Sequence, residues 1–385
     1  MIEIVKKEDC CGCYGCMNIC PKQCIVMKND DEGFVYPYID KDKCIECNLC
    51  EKVCPTINNL ENNDYESKAY ACKNKNEVER IKSSSGGIFS VLCQKVINEG
   101  GVVFGAAFDK DFTVKHIYAE TMDECIRFRG SKYVQSSIND SYKKAKEFLD
   151  SGRVVLFSGT QCQIKGLNLY LRKKYENLIS VDIVCHGVPS PKVFRNYKNM
   201  LVKKYGANIK AINFRDKING WSDFEFNIKF ENKDVYSKSF RSDLYMKGFL
   251  SNLYLRPACY SCKSKNFKNN SDISLADYWG VENKHPQFVD KYGVSLIIIN
   301  SKVGEKVLNS TLNNLDVLNT ELDYAIKYNP CIIKAVQSNL NREKFFKKVN
   351  YNNIEKSIDK YLKASLSLRV KMKIASLLFA KKKSS

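Results

Sequence analysis

No stretch of this chain approaches the ~20 consecutive apolar residues of a membrane-spanning helix, which excludes a helical membrane protein. No apolar segment follows Met1-Ile2-Glu3-Ile4, so no signal peptide is expected. No GxGxxG follows a strand-like segment, so a built-in nicotinamide domain is not expected. Histidine is scarce, with 3 in 385 residues. Cysteine is abundant, at 18. So many thiols without an export signal point to a reducing, cytoplasmic compartment rather than to disulfides.

The cysteines are patterned. Cys10, Cys13, Cys16, Cys20 and Pro21 form one C-x2-C-x2-C-x3-C-P run, and Cys44, Cys47, Cys50, Cys54 and Pro55 form a second. This is the bacterial ferredoxin spacing for two 4Fe–4S clusters, in which the fourth cysteine of each run serves the other cluster. The expected ligand sets are therefore Cys10, Cys13, Cys16 and Cys54, and Cys44, Cys47, Cys50 and Cys20. Structural zinc sites use C-x2-C pairs separated by longer spacers, and fit these triple steps less well.

The formal charge of +19 invites a nucleic-acid reading. The basic residues are scattered Lys among many Asn and Ile rather than clustered, so no nucleic-acid partner is expected. Bound 4Fe–4S clusters offset part of the charge, each carrying about −2 with its four thiolates. The remaining excess suits acidic electron carriers such as ferredoxin or flavodoxin, or a plain solvated basic surface.

Residues 1–58 read as the ferredoxin unit and 59–67 as a polar linker. From 68 to 336 strand and helix signals alternate, which predicts an α/β domain. Residues 337–385 read as a basic helical tail. Within it 365–383 is amphipathic enough for peripheral membrane contact, with docking on its own domain the competing reading. The fold class is thus an α+β ferredoxin-like dicluster domain fused to an α/β domain with a largely parallel or mixed sheet. The segment FEFNIKF alternates strictly and predicts a half-exposed strand.

Several loops of the second domain fall at strand ends, where α/β sheets bind ligands. Ser83-Ser84-Ser85-Gly86-Gly87 opens a helix and could offer N–H groups to a pyrophosphate, or be an ordinary capped start. Cys162 and Cys185 each follow a buried-type strand, and Cys259 and Cys262 form one further C-x2-C pair. These four are expected to hold a third 4Fe–4S cluster. The alternative is that Cys162 and Cys185 are small buried hydrophobes and the late pair binds nothing.

The segments SSSGGIF, RGSKYVQS, LFSGTQCQIKGL, VDIVCHGVPSP and RPACYSCKSK…SDISLADYWG together resemble the beta subunits of coenzyme F(420) hydrogenase/dehydrogenase, a flavoprotein family also similar to 7-hydroxymethyl chlorophyll a reductase. The resemblance implies bound FAD, a 4Fe–4S cluster beside it, and electron exchange with a deazaflavin or another substrate. It places Ser85, Gly86 and Gly87 at the flavin. It puts Ser131, Lys132 and Tyr133 in the flavin and substrate pocket, and Thr160, Gln161 and Gln163 around Cys162. Gln161 stands where family members usually have Pro. Lys132 and His186 are the candidate catalytic residues. The expected activity is an FAD-dependent iron–sulfur oxidoreductase acting on a small organic molecule, a deazaflavin or a sugar or polysaccharide precursor. A redox partner is expected at the ferredoxin unit, either a soluble carrier or a hydrogenase- or dehydrogenase-type subunit. The competing readings are a pure electron-transfer subunit and a non-catalytic iron–sulfur scaffold.

Overall fold

The computed structural model describes residues 1–61 and 64–363. The amphipathic segment 365–383 lies outside the described residues.

The two cysteine runs fold alike because the backbone repeats as the sequence does. Gly12 and Tyr14 in the first loop and Glu46 and Asn48 in the second all have left-handed φ, at 70°, 65°, 50° and 56°. Three of these four are not glycine, and each such residue costs about 1 kcal/mol. Short helices, Gly15–Ile19 and Leu49–Lys52, follow each loop. Between them strands β1 (Ile25–Asn29) and β2 (Val35–Ile39) pair antiparallel.

The remaining strands build two sheets. β3 (Lys68–Asn74), β4 (Val102–Phe108), β5 (Val114–Ala119), β6 (Val155–Thr160) and β7 (Leu178–Ile183) belong to the large one. β8 (Ile209–Asp216), β9 (Glu225–Phe230) and β10 (Val235–Ser239) form a separate antiparallel sheet. β11 (Ile273–Asp277), β12 (Ser295–Ile299) and β13 (Leu315–Thr320) complete the large sheet, ordered β13-β3-β12-β11-β7-β6-β4-β5. Only the β4-β6-β7-β11 run is parallel, and every other pairing is antiparallel. The sheet is therefore mixed. The largely parallel expectation holds for the centre, where helices Ser141–Asp150 and Gln161–Leu171 alternate with strands, and fails at both flanks. β11 and β12 are joined without a long crossover helix, so they pair antiparallel.

β9 is half exposed, as its alternation predicts, with Glu225 partly covered and Lys229 exposed on its outer face. It is the middle strand of its sheet, and Phe226, Asn227, Ile228 and Phe230 are all buried, leaving Lys229 exposed. Alternation set its apolar face correctly. Asn227, on the other face, is covered and bonds Ser237 Oγ at 3.2 Å. Past residue 336, helices Arg342–Lys348 and Ile354–Leu362 pack Phe345, Val349, Ile354 and Ile358 into the core beside β8–β10.

The ferredoxin unit is docked by buried polar contacts. Lys165 Nζ, from a fully buried side chain, donates to Pro55 O at 2.8 Å. Arg342 forms a two-pronged ion pair with Glu32. Ser190 Oγ donates to Glu32 O, and Gly33, at φ 86°, lies so close to Lys192 that an added Cβ would clash at 2.3 Å.

One buried network supports β6. His116 Nε2–H donates to Ser158 O at 3.0 Å, and Ser136 Oγ, at 3.0 Å, serves its Nδ1. Burial holds the imidazole down at about 4. The unfolded histidine binds a proton near 6.5, so between pH 6.5 and 4 the unfolded chain holds more protons, and stability falls as pH falls through that window. The loss expected at pH 5 is about 2 kcal/mol. The His116→Gln protein should lack this acid-side loss when urea midpoints at pH 7 and pH 5 are compared with wild type.

Candidate functional site

Two cavities mark the ferredoxin unit. The outer one has about 370 Å³ of space including its mouth, and is lined by Cys20, Cys24, Cys44, Cys47 and Cys50. The inner one, about 310 Å³, is lined by Cys10, Cys11, Cys13, Cys16 and Cys54. The fourth cysteine of each run thus faces the other run's cavity. Among the described residues no three His, Cys, Asp or Glu side chains converge as a single ion would require. A zinc site would hold its sulfurs about 3.8 Å apart around one point. Sulfurs spread around a cavity suit a cube of irons and sulfides instead. Cys47 is exposed at the outer cavity, whereas Cys13, Cys16 and Cys54 are buried at the inner one. Ile2 N–H points at Cys50 Sγ from 3.3 Å.

A third group of cysteines lies at the C-terminal ends of the parallel strands. Cys162 opens the helix after β6, Cys185 follows β7, and Cys259 and Cys262 come from the turn Pro257–Ser261 and its end. All four are within electrostatic reach of one another. Burial pushes the Cys185 thiol up, and pushes Cys259 up to about 12. A hydrogen bond to Cys11 and burial do the same to Cys162. As free groups these are protonated thiols, so metal binding there releases protons. Cys11 bonds both Cys13 and Cys162, and so bridges the inner cavity to this group. Cys331 approaches from the other side, with its Sγ 3.8 Å from His186 Nδ1. Lys265 Nζ donates to the carbonyls of Cys185, at 2.6 Å, and Cys331.

The expected flavin residues lie along the same sheet edge, but many of their polar groups are taken internally. Gly86 N–H donates to Ser295 Oγ at 3.0 Å, and an added Cβ there would meet Cys72 O at 2.5 Å. This glycine pair lets the loop press against β3 and β12, so the Gly86 N–H is not free for a pyrophosphate. Ser85 Oγ donates to Val294 O, and Ser131 donates to Ser84 Oγ. Lys132 Nζ donates to three carbonyls, those of Phe128, Arg129 and Gly130, at 3.1–3.2 Å. Burial lowers its ammonium to about 7, while the three acceptors favour the charged form. With three carbonyls bound, it presents no free charge to a phosphate. Tyr133 packs on Phe214 and Phe249, and its carbonyl accepts from Tyr245.

Thr160 and Gln163 form a capping box, and Gln163 Nε2 continues to Ser136 Oγ at 3.0 Å, within the His116 network. Gln163 is therefore a core residue of the strand end. Gln161 Nε2 donates to Ile332 O, but its Oε1 is buried without a partner. His186 Nε2 lies 2.6 Å from Asn252 Oδ1, and burial lowers its pKa.

Sequence patterns missed a second set of charges beside Ser85. Arg215, at the end of β8, reaches across to Asp277 at the end of β11 and leaves its Nε buried without a partner. Asp277 also accepts from Trp221 Nε1 at 2.8 Å, and Trp221 stacks on Trp279 at 4.8 Å. Lys217 Nζ donates to Ser85 O at 2.7 Å, and burial lowers it to about 7. None of these carries a motif. Their only signal was a position at a strand end.

Residues 9–58 match the 4Fe-4S dicluster domain. Residues 152–324 match the coenzyme F420 hydrogenase/dehydrogenase beta subunit, C terminus. No curated protein matches the chain. Among solved structures it is similar to a chain of the xenon-derivatised F420-reducing [NiFe] hydrogenase complex from Methanosarcina barkeri. Identity there is 19%, the TM-score 0.48, and the match covers 75% of this chain and 95% of that one. Among the described residues no helix is long and apolar enough to cross a membrane. The chain thus matches a 4Fe–4S dicluster domain over residues 9–58 and, over residues 152–324, the carboxy-terminal part of the coenzyme F420 hydrogenase/dehydrogenase beta subunit.

Proposed function

We propose that this chain is an iron–sulfur flavoprotein oxidoreductase that carries electrons between a redox partner at the outer cavity and an organic substrate at the edge of the large sheet. One observation carries the reading. Cys162, Cys185, Cys259 and Cys262 come from distant segments, lie within electrostatic reach of one another at the strand ends, and connect to the inner cavity through Cys11. The row runs from exposed Cys47 through Cys10, Cys13, Cys16 and Cys54 to the sheet edge. Thiolates in three sets of four would hold three 4Fe–4S clusters, which supply one-electron carriage when bound.

FAD, when bound, supplies the exchange between one-electron and two-electron chemistry. Two orphaned polar atoms support a ring at this edge, the donor Arg215 Nε and the acceptor Gln161 Oε1. Lys217 and Arg215 add positive charge beside the Ser83–Gly87 loop. Ser85, Ser131 and Tyr133 would shape the pocket rather than bond the cofactor. A deazaflavin, or a sugar or polysaccharide precursor, would be the hydride partner.

A second reading is favoured by the internal bonding of Lys132, Gln163 and Gly86. In it the chain is an electron-transfer subunit whose catalytic partner holds the substrate. Denaturation of anaerobically purified protein decides between them. Release of about one FAD per chain, with reoxidation of the dithionite-reduced protein by deazaflavin or a sugar-nucleotide panel, supports the enzyme. Absence of flavin after anaerobic reconstitution overturns it.

A further inference from the structure

We infer that Arg256 raises the reduction potential of the cluster held at the inner cavity. Its side chain is fully buried, yet none of its hydrogen bonds goes to a carboxylate. Nε donates to Cys10 O at 2.7 Å and Nη1 to Gln135 Oε1 at 3.0 Å. Nη2 donates to Val35 O at 2.8 Å and to Cys10 Sγ at 3.4 Å. The guanidinium lies over the Tyr36 ring at 4.5 Å and the Phe34 ring at 5.5 Å. Gly12 makes the approach possible, since a Cβ there would meet Nη1 at 2.7 Å.

A buried cation without an acid partner is expensive unless something nearby is negative. Cys10 is the first counter-charge in its surroundings, followed by Tyr36, Cys11 and Cys259. The arginine is thus matched to the thiolates of the inner cavity. One added electron takes the group held by Cys10, Cys13, Cys16 and Cys54 from about −2 to about −3. Burial opposes that gain of charge, and a fixed cation in contact with a ligand sulfur reverses the penalty.

Among the described residues the outer cavity has no equivalent. Its cations are at the surface: the Met1 ammonium is paired with Glu51 at 2.7 Å, Lys43 with Asp40 at 2.9 Å, and Lys22 is exposed. Such charges are screened by water and salt. Arg256 therefore acts on one cluster of the pair, and favours movement of electrons inward. This inference rests on the dicluster reading of residues 9–58 and not on the flavin.

Potentiometric titration followed by electron paramagnetic resonance of Arg256→Gln and Arg256→Lys proteins tests it. The Gln variant should hold at least tenfold less reduced inner cluster at a fixed potential, a shift of about 59 mV for a one-electron couple. The outer cluster should not move, and the Lys variant should recover most of the difference. An unmoved inner cluster, an equal shift of both clusters, or a Lys variant as low as Gln would overturn the inference. Absence of any cluster signal in wild type would instead sink the dicluster reading. A second measurement needs no variant. With nitrogen-15 arginine incorporated, hyperfine spectroscopy should show an arginine nitrogen coupled to the reduced inner cluster and not to the outer one. Its absence also overturns the inference.

Discussion

The Cys185→Ser protein is expected to lose about four irons per chain, falling from about twelve to about eight, while both ferredoxin-unit signals persist. Cys185 comes directly after β7, and the preceding Val184 N–H is tied to Leu275 O at 2.9 Å. The backbone is held by the sheet whatever the side chain, so the change should act on the ligand rather than on the fold. Electron delivery from the ferredoxin unit to the sheet edge should fall by at least about a hundredfold, because the row of cysteine sets is broken in its last position. Iron analysis and rapid-freeze spectroscopy after dithionite mixing read the two effects separately. Loss of all three clusters would mean that the units are not modular. No loss of iron would mean that the four cysteines at the strand ends are core residues.

Removing Cys54 should have an equally large and more selective effect. Cys54 belongs by sequence to the second run but lines the inner cavity with Cys10, Cys13 and Cys16. The Cys54→Ser protein should therefore lose the inner cluster's signal and keep the outer one, in a paramagnetic resonance spectrum of the reduced state. The opposite pattern would show that each run serves its own cluster. Thr56 Oγ1 lies 3.0 Å from Cys54 Sγ and donates onward to Asp9 O, so the serine hydroxyl has a partner and the loop should persist.

The two ferredoxin cysteine runs were legible because a fixed spacing of four cysteines, repeated at 34, has few other physical uses. The central strands were legible for a different reason. VVFGAAF, VVLFSGT and LISVDI are short, largely apolar runs, and they are buried on both faces, as strands covered by helices on each side must be. The flanks were not, because β5 carries Lys115 and His116, and β13 carries Asp316 and Asn319, among their apolar residues. Their pairing is set by partners far away in sequence, such as β13 against β3.

The site divides in the same way. Cysteine at a strand end is visible in a string of letters, so Cys162 and Cys185 could be named. Arg256 could have been noticed only as a charge three residues before Cys259, and its burial against Cys10 spans 246 positions. Gln163 and Lys132 were placed at the cofactor through their motifs. The folded chain uses both internally, one in the His116 network and one across the carbonyls of residues 128–130. A motif locates a residue along the chain, but its hydrogen-bond partners are chosen by the packing around it.

The most direct test of the whole account is quantitative iron and acid-labile sulfide analysis of anaerobically purified wild-type protein, with zinc measured in the same sample. The account predicts about twelve irons and about twelve sulfides per chain, and negligible zinc. Colourless protein containing about two or three zinc ions and no sulfide would contradict it.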